Sequence, residues 1–105
     1  MIHYYVWFRL QSDVDEKEGL AIVGAFLREL HEAGGIADFR LLRNSGDPAK
    51  SKLLPFEALI EFRDDAQFGA AFSAQAARGI HTGEHGRIME MVSDFQIEVF
   101  RGVVT

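Results

Sequence analysis

With 105 residues, 48% apolar and 26% charged, the chain has the composition of a folded globular protein with one modest core, which excludes wholesale disorder. A net charge of −5 disfavours general nucleic-acid binding, because such proteins concentrate positive charge to displace counterions. The chain has no cysteine, which excludes disulfides, thiolate metal sites and a cysteine nucleophile, and no apolar run reaches the ~20 residues that a membrane-spanning helix needs. A single cytoplasmic domain over residues 1–105, with no nucleic-acid or membrane partner, is the expectation.

Residues 2–10, IHYYVWFRL, are dense in aromatic and β-branched side chains and predict a first strand. They lack the basic segment and small-residue cleavage site of a signal peptide. Ser12 or Asp13 is the natural N-cap of the helix that follows, with Asp15, Glu16 and Glu18 placing negative charge at its positive end. That helix runs to about Ala33, with Leu20, Val23, Leu27 and Leu30 spaced along one face, and Gly34-Gly35 ends it. His31, in its last turn, complements the dipole.

Residues 36–44, IADFRLLRN, predict the second strand, and 45–55, SGDPAKSKLLP, is the one stretch of linker character. FEALIEFR (56–63) alternates strictly and predicts the third strand. Residues 64–78 open with acidic capping residues and predict a second helix, with Phe68, Ala71, Phe72 and Gln75 along a face. GIHTGEHGRIMEM (79–91) reads as a turn and short helix, DFQIEVFR (94–101) as the fourth strand, and GVVT as a short tail.

The order β-α-β-β-α-β is the split βαβ plan of the α+β ferredoxin-like fold, a four-stranded antiparallel sheet with both helices on one face. Parity then assigns the faces. Tyr4, Val6, Phe8 and Leu10 should face the helices, with Phe39, Leu41, Phe56 to Phe62, Phe95, Ile97 and Val99. The other face carries His3, Tyr5, Trp7, Arg9, Arg40, Leu59, Glu61, Glu98 and Phe100. It is too apolar for a bare solvent face, and two such sheets packed about a two-fold axis would cover it. The expected partner is therefore a second copy of the chain, through Tyr5, Trp7, Arg9, Arg40, Glu61 and Glu98. Arg9 and Arg40 are expected to pair with Glu57, Glu61 or Glu98.

Three stretches resemble the dimeric α+β barrel superfamily, closest to the stress-responsive A/B barrel proteins and more distantly the antibiotic-biosynthesis monooxygenases. MIHYYVWFRLQSDVDEKEG is similar to that branch's first strand and acidic helix start. FEALIEFRDDAQFGAAF resembles the third strand and the next helix, and IHTGEHGRIMEMVSDFQIEVF the segment where the branch often reads His-Pro-x-His. Here that motif becomes His81-Thr-Gly-Glu-His85, one residue longer and without proline, so only His85 matches a motif position. Aligned on Phe8-Arg9-Leu10, the histidine common in the family's first strand falls on Tyr4. His3 is one place away, on the opposite face. The resemblance implies the barrel fold and a dimer. Its members include cyclases and monooxygenases acting on aromatic or polyketide-like compounds, heme-handling proteins, and proteins with no known activity.

The residues themselves allow three chemistries. His81 and His85 stand four apart, the spacing that brings two imidazoles to one helix face for zinc or iron. Gly83 interrupts that spacing, and no third ligand is evident beyond Glu84 or Glu90, so no metal and no cofactor is expected. Heme or metal binding stands as an alternative. His85 leads a stripe with Ile88, Met89 and Val92, which would set its imidazole near the rim of the space between helices and sheet, within reach of Tyr4. Such a pair suits acid/base work in enolisation or aldol-type closure; otherwise His85 bonds a backbone carbonyl and holds the loop. Phe8, Phe26, Phe39, Phe62, Phe68 and Phe72 should converge there, either filling the core or lining an apolar pocket. Phe8, Phe39, Phe62, Phe72 and His81 are the candidate ligand contacts. The leading expectation is a homodimer that binds a small apolar or aromatic ligand, with cofactor-independent chemistry by His85 and Tyr4 if it is an enzyme. The alternative is a non-catalytic structural or stress-related dimer with a filled core.

Overall fold

A computed structural model describes residues 1–47, 49–79 and 82–104. The elements run β1 (Ile2–Leu10), α1 (Glu16–Glu32), β2 (Asp38–Arg43), β3 (Phe56–Phe62), α2 (Asp65–Arg78), α3 (Gly83–Met91) and β4 (Val92–Arg101). The four strands form one antiparallel sheet in the order β2-β3-β1-β4. This is the ferredoxin-like arrangement, with the short α3 added before the last strand. Among the described residues no helix is long and apolar enough to cross a membrane.

Local chemistry explains where the helices start. Asp15 caps α1, its carboxylate accepting from the Glu18 N–H at 3.0 Å. The expected caps, Ser12 and Asp13, lie instead in the turn closed by Val14 N–H donating to Gln11 O. Packing fixes that choice: Gly19 comes so close to β1 that a Cβ there would meet Leu10 Cδ1 at 3.0 Å. At the other end Gly34, at φ +79°, turns the chain out of α1. Asp64 caps α2 by accepting from Gln67 N–H at 2.8 Å. Asn44 donates to Ser51 Oγ at 2.9 Å, which staples the linker-like connection between β2 and β3.

Two boundaries differ from the sequence expectation. Ile36 is buried in the core and precedes β2, which begins at Asp38. β4 begins at Val92, not residue 94, because Val92 pairs with Leu10 across an irregularity in the ladder at Arg9 and Leu10.

The parity assignment is correct in register: Tyr4 lies between Ile60 and Val99, and Phe8 between Phe56 and Phe95. One core cluster is built from Phe8, Val23, Leu27, Phe56 and Ala58, and a second from Ile2, Ile36 and Phe62. β4 departs from the expectation. Neither long helix packs closely over it. Phe95, Ile97 and Val99 lie on the helix side of the sheet yet stay 54%, 43% and 45% exposed.

On the opposite face, Tyr5 stacks on Trp7 at 5.5 Å and meets Phe100 edge-on at 5.3 Å. The ion pairs there are not the expected ones. Arg9 pairs with Asp94 at 3.6 Å, its partner directly across the ladder, and Glu61 faces His3 at 3.8 Å. Arg40 sits across from Leu59 and makes no ion pair among the described residues.

Candidate functional site

Between sheet and helices lies a cavity of about 840 Å³. Its floor is the helix side of the sheet, with Tyr4 and Val6 from β1 and Ile60 and Phe62 from β3. Phe95 and Ile97 of β4 form one wall, and His85, Ile88 and Met89 of α3 another. Phe26 and Leu30 of α1 close the far side.

The roof explains why there is a cavity at all. α2 turns Gln67, Ala70, Ala71, Ala74, Gln75 and Arg78 toward it, the three-and-four spacing of one helix face. Where a core helix would carry leucine, the middle of this face carries alanine. A methyl group cannot span the distance to the sheet, and the space beneath stays open. Gln67 is the buried residue of this helix. Its amide donates to Gly34 O at 3.0 Å and its carbonyl oxygen accepts from Arg63 N–H at 2.7 Å. That pins the start of α2 to the turn after α1.

Both acid/base candidates line this one cavity, Tyr4 from the sheet and His85 from α3. The Tyr4 ring is held edge-on by Phe62, Phe68 and Phe72, at centroid distances of 6.3, 6.2 and 5.4 Å. Burial among these rings raises the phenol pKa above its ordinary value, so the group stays a hydrogen-bond donor. The imidazole of half-buried His85 packs edge-on against Phe26 at 6.0 Å. A phenol donor and an imidazole beside an apolar space are groups that can supply and remove protons.

Of the candidate ligand contacts, Phe8, Phe62 and Phe72 line the cavity. Phe39 does not. It sits where the two core clusters meet, with its ring against His31 at 6.2 Å, so it is a filler of the core. His81 lies outside the described residues. α3 itself begins at Gly83, at φ +60°. Among the described residues no group of three or more metal-ligating side chains comes together.

The sequence places Ala71 and Gln75 on the inner face of this helix, but Ala74, Gln67 and the two cations at the cavity, Arg63 and Arg78, are not singled out by it. The signal for Ala74 is its helical spacing from Ala70 and Ala71.

A family model described as a family of unknown function, DUF6614, matches residues 1–104. A search of curated proteins finds no match. Solved structures share the fold over nearly the whole chain. One is a dabb family protein with a ferredoxin-like fold from Mesorhizobium loti, 19% identical, with a TM-score of 0.68 over 98% of this chain and 97% of that one. SnoaB, a cofactor-independent oxygenase from Streptomyces nogalater, is 14% identical, with a TM-score of 0.70 over 99% of this chain and 94% of the other. A dimeric ferredoxin-like protein of unknown function from Thermobifida fusca is 16% identical, with a TM-score of 0.62 over 94% and 88% of the two chains. These neighbours are of the kinds that the opening, third-strand and last-strand segments resemble, and at such identities the likeness is one of fold.

Proposed function

The chain belongs to DUF6614, a family of unknown function, and from its own geometry we propose a homodimer in which each subunit binds a small apolar or aromatic ligand between sheet and helices. One observation carries this reading. The cavity of about 840 Å³ is walled by aliphatic and aromatic side chains with a few polar groups among them. Small-molecule sites have this form, in a range of roughly 300–1,000 Å³.

The proposal extends to cofactor-independent acid/base chemistry. His85 takes a proton from the carbon beside a ligand carbonyl, and Tyr4 donates a hydrogen bond to the enolate oxygen that forms. The enolate then attacks a second carbonyl of the ligand, or regains the proton from the imidazolium. Burial of Tyr4 supports its role as donor, and a fold neighbour described as a cofactor-independent oxygenase fits the same picture.

The dimer forms through the sheet face of Tyr5, Trp7, Arg9, Arg40, Glu61 and Glu98. Exposed Leu42 and Phe100 on that face support it, as does the dimeric state of a fold neighbour. Sedimentation equilibrium should show a dimer that Trp7→Glu converts to monomer; a parent that sediments as a monomer rules this out. A cytoplasmic location, in keeping with a chain free of cysteine, belongs to the same proposal and is checked by cell fractionation.

The ligand reading is tested with 1-aminoanthracene, a neutral fluorescent probe. Saturable binding is expected at one site per subunit, and it should vanish in Ala74→Leu, which fills the space beneath α2. Probe binding undiminished in a folded Ala74→Leu protein removes the cavity as the site. For the chemistry, deuterium uptake at the α-carbon of a β-keto ester should slow about a hundredfold in His85→Ala. Uptake equal in parent and variant eliminates the acid/base role.

A further inference from the structure

The polar groups at the cavity are of one kind. Those at its lining are the Tyr4 hydroxyl, the amides of Gln67 and Gln75, the His85 imidazole and the guanidinium groups of Arg63 and Arg78. Among the described residues no carboxylate lines it, although the chain carries 16 acidic residues against 11 basic ones. In a protein of net charge −5, a cavity with cations and no acid at its lining is a local reversal of sign.

Several of these groups are already occupied. Gln67 is committed at both ends, to Arg63 N–H and Gly34 O. Gln75 donates to Gly79 O at 3.1 Å. Arg63 lies 3.9 Å from Asp64, which partly offsets its charge. Arg78 differs, because the ion pairs among the described residues do not include it. Among the described residues the Tyr4 hydroxyl likewise shows no hydrogen bond, and burial raises its pKa. The two uncommitted groups, one charged and one neutral, are both donors.

Resting on the ligand reading above, we infer that the cavity takes an apolar acid, whose anionic oxygens meet Arg78 at the end of α2 while its hydrocarbon body lies under the alanine face of that helix. The complementarity is physical. A planar guanidinium offers paired N–H groups that match two carboxylate oxygens. Ala70, Ala71 and Ala74 leave a slot for an aromatic or aliphatic body, with Ile97 and Phe95 opposite. A neutral ligand of the same shape would leave Arg78 unmatched, and a cationic one would be repelled.

Two probes of equal shape separate the terms: 2-naphthoate and 2-naphthamide, titrated calorimetrically into the intact protein at low salt. The acid should bind about tenfold more tightly than the amide, the effect of one charge-assisted contact. Arg78→Gln should abolish that preference, chiefly by weakening binding of the acid, and high salt should narrow it in the parent. Arg63→Gln should leave most of it. Equal binding of the two probes by the parent overturns the inference and leaves the ligand reading standing. So does a preference that survives Arg78→Gln or disappears in Arg63→Gln instead. Binding of neither probe to folded protein overturns the ligand reading itself, and the inference with it.

Discussion

The helical layer has two unlike halves. Under α1 the packing is tight: Val23 and Leu27 are buried against Phe8, Phe56 and Ala58, with Leu27 only 2% exposed. Gly24 sits over Leu41 of β2, where an added Cβ would stand in ordinary contact at 3.5 Å. Under α2 the reverse holds. Its buried residue is a glutamine, the middle of its cavity face is alanine, and only Phe68 and Ala71 pack against the second cluster while Phe72 stays exposed. β4, beside it, keeps its apolar helix-side residues open. The first half holds the fold together; the second leaves the open space to which the proposed ligand is assigned. A core that filled both would be more stable and would have nowhere to put a ligand.

The largest test of this contrast is Leu27→Ala. It should cost about 3 kcal/mol of stability, the transfer term plus an unfilled cavity, read as a lower midpoint in urea denaturation. A loss below about 1 kcal/mol would erase the distinction between the halves. Next comes Gln67→Ala. It strips partners from Arg63 N–H and Gly34 O and should cost about 2 kcal/mol, with slower melting of α1 than of α2 in hydrogen exchange. If protection falls equally along both helices, α2 is not held by this one residue. The smallest effect concerns Tyr4. Its phenol pKa is raised in the folded protein, so the stabilisation it contributes is complete below the unfolded value near pH 10 and declines as pH climbs through the folded value. Tyr4→Phe should flatten that alkaline decline in thermal melts, and an unaltered decline would place the phenol in water.

Much of the fold was readable from local pattern. The aromatic and β-branched density of residues 2–10 and the alternation of 56–62 mark strands whose faces the register confirms, and parity along the first put Tyr4 on the cavity side. What was hidden depended on distant contacts. Ser12, Asp13 and Asp15 are all good caps, and only the approach of Gly19 to Leu10 selects among them. Arg9 finds Asp94 because β4 lies beside β1, a neighbour relation that no single strand encodes. Phe39 looked like a pocket residue because composition cannot say which phenylalanines fill and which line. Gln67 carries no local signal of burial, because a glutamine on a helix is usually solvated. His85 alone could be singled out from its stripe with Ile88 and Met89, and it does line the cavity with them.

β4 is fastened at both ends while its middle is bare. At its start Gln11 N–H donates to Met91 O at 2.7 Å. At its finish Arg101 Nη1 bonds Asp65 Oδ1 at 2.7 Å, and the ladder with β1 runs between. The backbone on that side is thus a fixed sill, with no hinge to swing. Entry past it depends on rotamer changes of exposed rings such as Phe95 and Phe72, which take picoseconds to nanoseconds, where the opening of a domain takes microseconds or longer. For the ligand proposed above, exchange at this site would be a matter of side-chain gating, tunable one ring at a time.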